Sequence, residues 1–448
     1  MTTAYSALPA NDLTAMPRPE PQRWMGDVWR ALVFLPLFSL IFLPEFSRDG
    51  ADSASTVYGK ALAGFRFVDI AIAALILCHI VLLGCVRNRH IDFPRRLVLP
   101  GLAFLGCIAI AMLYGSARGG SNFFFDWRGV ALGMGLYLVW CFWMQTAADV
   151  SSAIRLFAGY MTLRIAFLYA LYLAGYRDTL LGVSIPIFDG PALSCIVFTA
   201  LLAFASRDVA CAAVARLLWF VLAAGGYLIV LLCFRRTYWA ELGIGTMILL
   251  ARRKRHRLRN LAFLAATLGV AAAILGSSFS GRLASLDLAN ADSEFSADNA
   301  DHLLDLVDAW DQVRQSPVMG IGLGTSYSTW HIRNWKPESV MVHNAPLHVW
   351  LKYGIAGLIF YLWFHIALLR WLWRRSKAPR RNGALVSAAF AYLTAQFLVT
   401  LTFAPWPYSE LQLTTLLAFI LAATVMPGRP ELSLAYDYAN TFRHHARP

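Results

Sequence analysis

Arg252-Arg-Lys-Arg-His-Arg-Leu-Arg259 separates two apolar runs, at about 237–251 and 259–276. So dense a basic turn between two hydrophobic segments marks the cytoplasmic side of a bilayer, where Lys and Arg are retained. Two more loops are as basic: Arg87-Asn-Arg-His-Ile-Asp-Phe-Pro-Arg-Arg96 and the segment from Arg370 to Arg381. Working outward from these loops, apolar runs read as about twelve transmembrane spans. They lie at about 28–46, 66–86, 97–115, 129–147, 153–174, 189–206, 213–234, 237–251, 259–276, 347–369, 383–402 and 410–427. With this span count all three basic loops face one side, and both termini share it. An odd miscount between any two of the loops would put them on opposite sides. The eighth span is short enough to be tilted or partly re-entrant.

The composition agrees. The chain is 58% hydrophobic and 15% charged, whereas soluble domains carry about 25% charged residues. The net charge of +13 therefore reads as topology, with most of the excess in short loops, and nucleic-acid binding is excluded as its meaning. Residues 1–24 are polar and contain proline, with no signal-peptide pattern, and read as a disordered tail. The seven cysteines lie in or beside apolar runs without zinc or disulfide spacing, and read as small buried hydrophobes. The expected organisation is a cytoplasmic tail over 1–27, helices over 28–276, a long outer loop over 277–346, helices over 347–427 and a cytoplasmic tail over 428–448. No internal repeat or separate soluble domain is evident.

That outer loop, roughly 70 residues, is long enough to be functional. Leu303, Leu304, Leu306, Val307, Trp310 and Val313 fit one face of an amphipathic helix within its acidic stretch. The loop is expected to form a partly helical cap on the membrane face. Gly320-Ile-Gly-Leu-Gly324 reads as a flexible turn rather than an anion nest. The acids read as a solvated face, without calcium-loop spacing, and His331, His348 and His365 have no metal-ligand spacing. Tyr327 to Trp335 and Trp406-Pro-Tyr408 suit an interfacial aromatic belt.

Two sites carry chemistry. In Leu231-Leu-Cys-Phe-Arg-Arg-Thr-Tyr-Trp239, Arg235 and Arg236 sit in a tight turn on the non-cytoplasmic side. Arginine there violates the usual charge distribution and marks a functional candidate. Two guanidiniums at a membrane surface suit a diphosphate. His343, in Val342-His343-Asn344, lies at the outer end of the tenth span. Histidine titrates near neutrality and is a natural general base, although an interfacial histidine bonded to a carbonyl fits the same position.

The order His343-Asn344, nine residues, then Gly354 followed by an apolar residue resembles the signature of bacterial O-antigen ligases. So do the span number, the late long loop and the arginine before a short helix. The wider group includes O-antigen polymerases and protein O-oligosaccharyltransferases. The resemblance implies an all-α, GT-C-like inner-membrane enzyme with a periplasmic active site. Its donor would be O-antigen on undecaprenyl diphosphate and its acceptor lipid A-core, with no metal or other cofactor and an inverting single displacement. His343 would be the base. Arg236, with Arg235, would stabilise the diphosphate, followed by the small residue Thr237. Asn344 would orient His343 or bond a sugar, and Glu241 would orient or neutralise an arginine. Arg282 opening the loop, Arg164 in the fifth span and Arg128 at an outer edge are further diphosphate candidates, each equally readable as part of an ion pair or polar network. Relatives often carry an arginine on the loop helix where this chain has His302 and Leu303; Arg282 and Arg314 are candidate replacements. A transporter of lipid-linked sugars is the rival of a different class, disfavoured by the missing internal symmetry.

Overall fold

A computed structural model describes residues 61–62, 65–85, 91, 93–120, 123–175, 177–180, 183–186, 190–207, 210, 212–233, 235–252, 257–276, 294–329, 338–339, 342–377, 383–402 and 411–425. The helices are α1 (Phe67–Cys85), α2 (Arg95–Ala117), α3 (Phe123–Trp143), α4 (Ala147–Leu173), α5 (Gly190–Ser206), α6 (Ala213–Leu232), α7 (Arg236–Arg252), α8 (Arg257–Leu275), α9 (Glu294–Gln315), α10 (Ala345–Lys377), α11 (Gly383–Thr400) and α12 (Leu411–Val425). Every expected span from the second to the twelfth coincides with one of them. The expected first span and both tails lie outside the described residues. Among the described residues six helices, α2, α4, α6, α8, α10 and α11, are long and apolar enough to cross a membrane. The chain is a multi-pass membrane protein.

The expectation of an all-helical chain needs one amendment. Among the described residues there are three two-stranded antiparallel ribbons: β1 (Ala61–Leu62) with β2 (Phe65–Arg66), β3 (Arg177–Leu180) with β4 (Val183–Pro186), and β5 (Tyr327–Ser328) with β6 (Glu338–Ser339). Ribbons this short carry too little apolar alternation to show in hydropathy.

Helix α5 is the axis of the bundle. Its residues from Ala192 to Ala205 are buried on every side, as expected of a helix that is apolar all round and enclosed by others. It packs against α6, α7, α11 and α12. The peripheral helices instead present Leu99, Leu102 and Leu113 of α2 or Leu217 and Leu218 of α6 outward, the arrangement of a protein solvated by lipid. Cys78 and Cys85 share that exposed surface, contrary to expectation, whereas Cys141, Cys195 and Cys233 are buried. Lipid is as apolar as a protein core, so hydropathy does not separate the two environments. Helix starts follow local chemistry: Thr146 and Asp149 form a reciprocal capping box at the start of α4, with Asp149 N donating to Thr146 Oγ1 (3.2 Å) and Thr146 N to Asp149 Oδ2 (2.9 Å).

Two contacts set the relative directions of the site-bearing helices. The Arg252 guanidinium at the end of α7 lies 4.7 Å from the ring of Trp373, near the end of α10. Arg375 Nη2 donates to the carbonyl of Val425 at the end of α12 (3.2 Å). The basic ends of α7 and α10 thus share one end of the bundle. Arg252 also lies over the ring of Phe390 (5.3 Å) in the first half of α11, which runs from there to Leu401 and Thr402 beside Asn344, so the first residues of α7 and of α10 lie toward the other end.

Candidate active site

At that opposite end, α10 begins with Asn344 as its N-cap. Asn344 Oδ1 accepts from Leu347 N (2.9 Å), and its Nδ2 donates to the carbonyls of Leu401 (2.8 Å) and Thr402 (3.0 Å), just beyond α11. One amide therefore starts α10 and ties it to α11. It fixes the turn bearing His343 through the backbone.

His343 is held on its other side by α9. Its backbone N–H donates to Asp305 Oδ2 (2.9 Å), and its Nδ1 lies 3.1 Å from the same oxygen. The hydroxyl of Tyr327, on β5, donates to the other carboxylate oxygen. Asp305 is fully buried, whereas the His343 side chain is 29% exposed. A carboxylate accepts only, so Nδ1 carries the hydrogen and the neutral ring has its lone pair on Nε2. An imidazole oriented in this way is equipped to take a proton at Nε2, with a buried carboxylate stabilising the cation that forms.

Sequence reading missed Asp305 because it sits in an acidic stretch that looks like a solvated face. Its helix is turned differently from expectation. Leu304 and Leu306 are half-buried and Val313 is buried, but Leu303, Val307 and Trp310 are exposed, while Asp305 and Asp308 face inward. Hydropathy cannot register a buried carboxylate, since its burial is compensated by partners distant in sequence. The neighbouring glycine segment is also corrected: it is wedged tight. Ile321 N donates to Leu351 O (2.7 Å) and Leu323 N to Ala111 O (2.9 Å). A Cβ on Gly115 of α2 would stand 1.9 Å from the Leu323 carbonyl oxygen. Lys352, fully buried, donates to the carbonyl of Thr325.

Gly354 gains its reason here. It has φ 70° and ψ −175° inside α10, a kink that separates the short outer helix from the long span. A Cβ there would meet the Val318 carbonyl oxygen at 1.9 Å. Glycine is required both by the positive φ and by the close approach. The kink also receives the proline turn, with Ile355 N donating to Pro317 O (3.1 Å). The spacing from His343 to Gly354 is thus the length of one helical segment clamped at both ends.

Arg235 is exposed and Arg236, the first residue of α7, is half-buried. Both lie at the same end of the bundle as His343. The N-terminus of a helix already carries positive potential, so two guanidiniums there favour an anion. Half-buried Thr237 follows. Trp239 Nε1 donates to the carbonyls of Val230 (3.1 Å) and Leu231 (3.2 Å), closing the α6–α7 turn. Glu241 faces elsewhere. Five residues rotate the helix by about 140° net, and its buried carboxylate accepts from Ser194 Oγ of α5 (2.9 and 3.1 Å). Ser194 in turn contacts Tyr392 Oη of α11 (2.9 Å). The expected part for Glu241 beside an arginine gives way to an interhelical tie.

Arg164 is buried within α4, at 7% exposure. Arg314 lies on the exposed side of α9, 5.7 Å from the ring of Trp310, about half a turn from Asp305, and so faces away from His343. Arg128 falls within α3, but its side chain lies outside the described residues, as do Arg282, His331, the side chain of His302 and Trp406 to Tyr408. His348 is buried beneath the His343 turn, and His365 Nδ1 bonds to the carbonyl of Tyr361 (2.9 Å). Among the described residues no three His, Cys, Asp or Glu side chains gather to hold a metal ion.

Residues 217–362 match a family model described as O-antigen ligase. No curated protein matches the chain. The matched segment runs from α6 through the arginine turn, the cap and His343 into α10.

Proposed function

We propose that the chain, whose residues 217–362 match the O-antigen ligase family model, transfers O-antigen polysaccharide from undecaprenyl diphosphate to lipid A-core. The site would open to the periplasmic face of the bacterial inner membrane. The observation that carries this reading is the pairing of a half-exposed His343 with a buried Asp305 at the end of the bundle that also holds Arg235 and Arg236.

In the proposed reaction the acceptor hydroxyl approaches Nε2 of His343. Its oxygen bonds to the anomeric carbon as the bond from that carbon to the diphosphate oxygen breaks, on the opposite face. The proton passes to Nε2, and the electron pair leaves with undecaprenyl diphosphate. Asp305 stabilises the imidazolium through Nδ1–H. Arg236, with Arg235 and the N–H groups of α7, stabilises the charge on the leaving diphosphate. Arg164, Arg128 and Arg282 remain further contacts to test, with Thr237 and Asn344 in support.

The test mixes purified protein with undecaprenyl-diphosphate O-antigen and lipid A-core in detergent, without divalent metal, and compares wild type with His343→Ala. Transfer by wild type that disappears in the variant supports the reading. A folded wild type that transfers nothing to lipid A-core overturns it, and the same donor is then offered with a second lipid-linked repeat unit or an acceptor polypeptide. Product formed in detergent, where there are no two sides, also separates an enzyme from a transporter.

A further inference from the structure

Helix α9 is inverted relative to a water-exposed amphipathic helix. Its inward side carries Asp305 and Asp308, while Leu303 and Val307 are 54% and 46% exposed and Trp310 is 38% exposed. Leu303, Val307, Trp310 and Arg314 follow one another at intervals of four, three and four residues, which places them within an arc of about 60°. The patch continues into the turn after the helix, where Val318 is 64% and Met319 42% exposed. Contiguous apolar surface of this kind marks an interaction site.

Its position indicates the partner. Trp310 packs edge-to-face on Trp350 of α10, with ring centroids 5.4 Å apart. Trp350 Nε1 also donates to Pro317 O (2.9 Å), holding the turn against the helix. Trp350 lies just before the kink at Gly354, and past it α10 turns Ile359, Trp363 and Ile366 outward along the span. The α9 patch therefore continues a surface that lipid covers. It also ends in Arg314, whose guanidinium lies over Trp310. Tryptophan beside a snorkelling cation above an apolar stripe is the composition of a helix lying in a membrane interface.

We infer that the outer face of α9 docks on the bilayer, with Leu303, Val307, Val318 and Met319 against acyl chains and Arg314 at the headgroups. The same helix holds His343 through Asp305 on its opposite face, so this contact sets the height of His343 above the lipid surface. The inference rests on the membrane reading and is independent of glycosyl transfer.

The test needs no turnover. A benzophenone side chain is placed at Val307, or at Gln315 on the polar edge of α9, in the full-length protein. Each protein is reconstituted in vesicles of phosphatidylethanolamine and phosphatidylglycerol, irradiated and weighed by mass spectrometry. The expected result is a phospholipid adduct at position 307, several-fold more abundant than at 315. Adducts to protein alone at 307, or no excess over 315, overturn the inference.

Discussion

Replacing Asp305 with asparagine isolates the contribution of one buried charge to His343. The carboxylate accepts from the His343 backbone N–H (2.9 Å), from its Nδ1–H (3.1 Å) and from the Tyr327 hydroxyl. Asparagine preserves the shape but can direct only one oxygen. If that oxygen faces His343, the tautomer survives and a charge-assisted bond becomes a neutral one. Such bonds contribute about 1.5–3 kcal/mol against about 0.5–1.5 for neutral ones, so the transition state loses ~1.4 kcal/mol, about tenfold in kcat. If the amide NH2 faces His343, Nδ1 must accept, the hydrogen moves to Nε2, and the ring can no longer take a proton there. The loss then approaches ~10⁴-fold, the scale of the same exchange in a serine-protease triad. Asp305→Asn should therefore lower kcat by at least about tenfold and leave KM for the lipid-linked donor nearly unchanged, since Asp305 is fully buried behind the histidine. The assay is steady-state transfer to lipid A-core, with thermal unfolding in detergent confirming an intact fold. A folded variant whose kcat stays within about twofold of wild type, under 0.5 kcal/mol, would refute the argument, and so would a loss confined to KM.

Substitutions at three further positions probe the surrounding frame. Gly354→Ala places a Cβ 1.9 Å from the Val318 carbonyl oxygen at a positive φ, and should lower Tm by an amount equivalent to about 1–3 kcal/mol of strain or more. Asn344→Ala removes the N-cap of α10 and both bonds to the Leu401 and Thr402 carbonyls; the cap alone is worth about 1 kcal/mol, and kcat should fall together with Tm. Arg236→Lys keeps the charge but loses the planar fork. It should retain more activity than Arg236→Ala, which should lower kcat by ~10²-fold in the transfer assay. Equal activities for lysine and alanine would remove Arg236 from the reaction.

Much of the architecture was legible in sequence, because bilayer insertion is governed by local properties. Apolar length and the placement of Arg87–Arg96, Arg252–Arg259 and Arg370–Arg381 need no tertiary information, and helices were found at the expected spans from the second onward. The arginine turn stood out for the same reason, as charge out of place at a membrane boundary, and His343-Asn344 stood out through the spacing to Gly354 that resembles O-antigen ligases. Tertiary structure alone decided what surrounds them. Asp305 reaches His343 across 38 residues, and its burial depends on Tyr327 and the packing of α9 on α10. The Gly320–Gly324 segment reads as a flexible turn until the close contacts of Gly322 with α2 and of Gly320 with α10 appear. The orientation of α9 was misread because hydropathy counts apolar residues without knowing whether protein or lipid will cover them. Glu241 turned toward α5 because the pitch of its helix, rather than its nearness to Arg236 in sequence, sets its direction. Spans and boundary charges follow from how each segment partitions between water and lipid. A histidine paired with a buried carboxylate requires two segments to desolvate each other, and only the folded chain specifies which two meet.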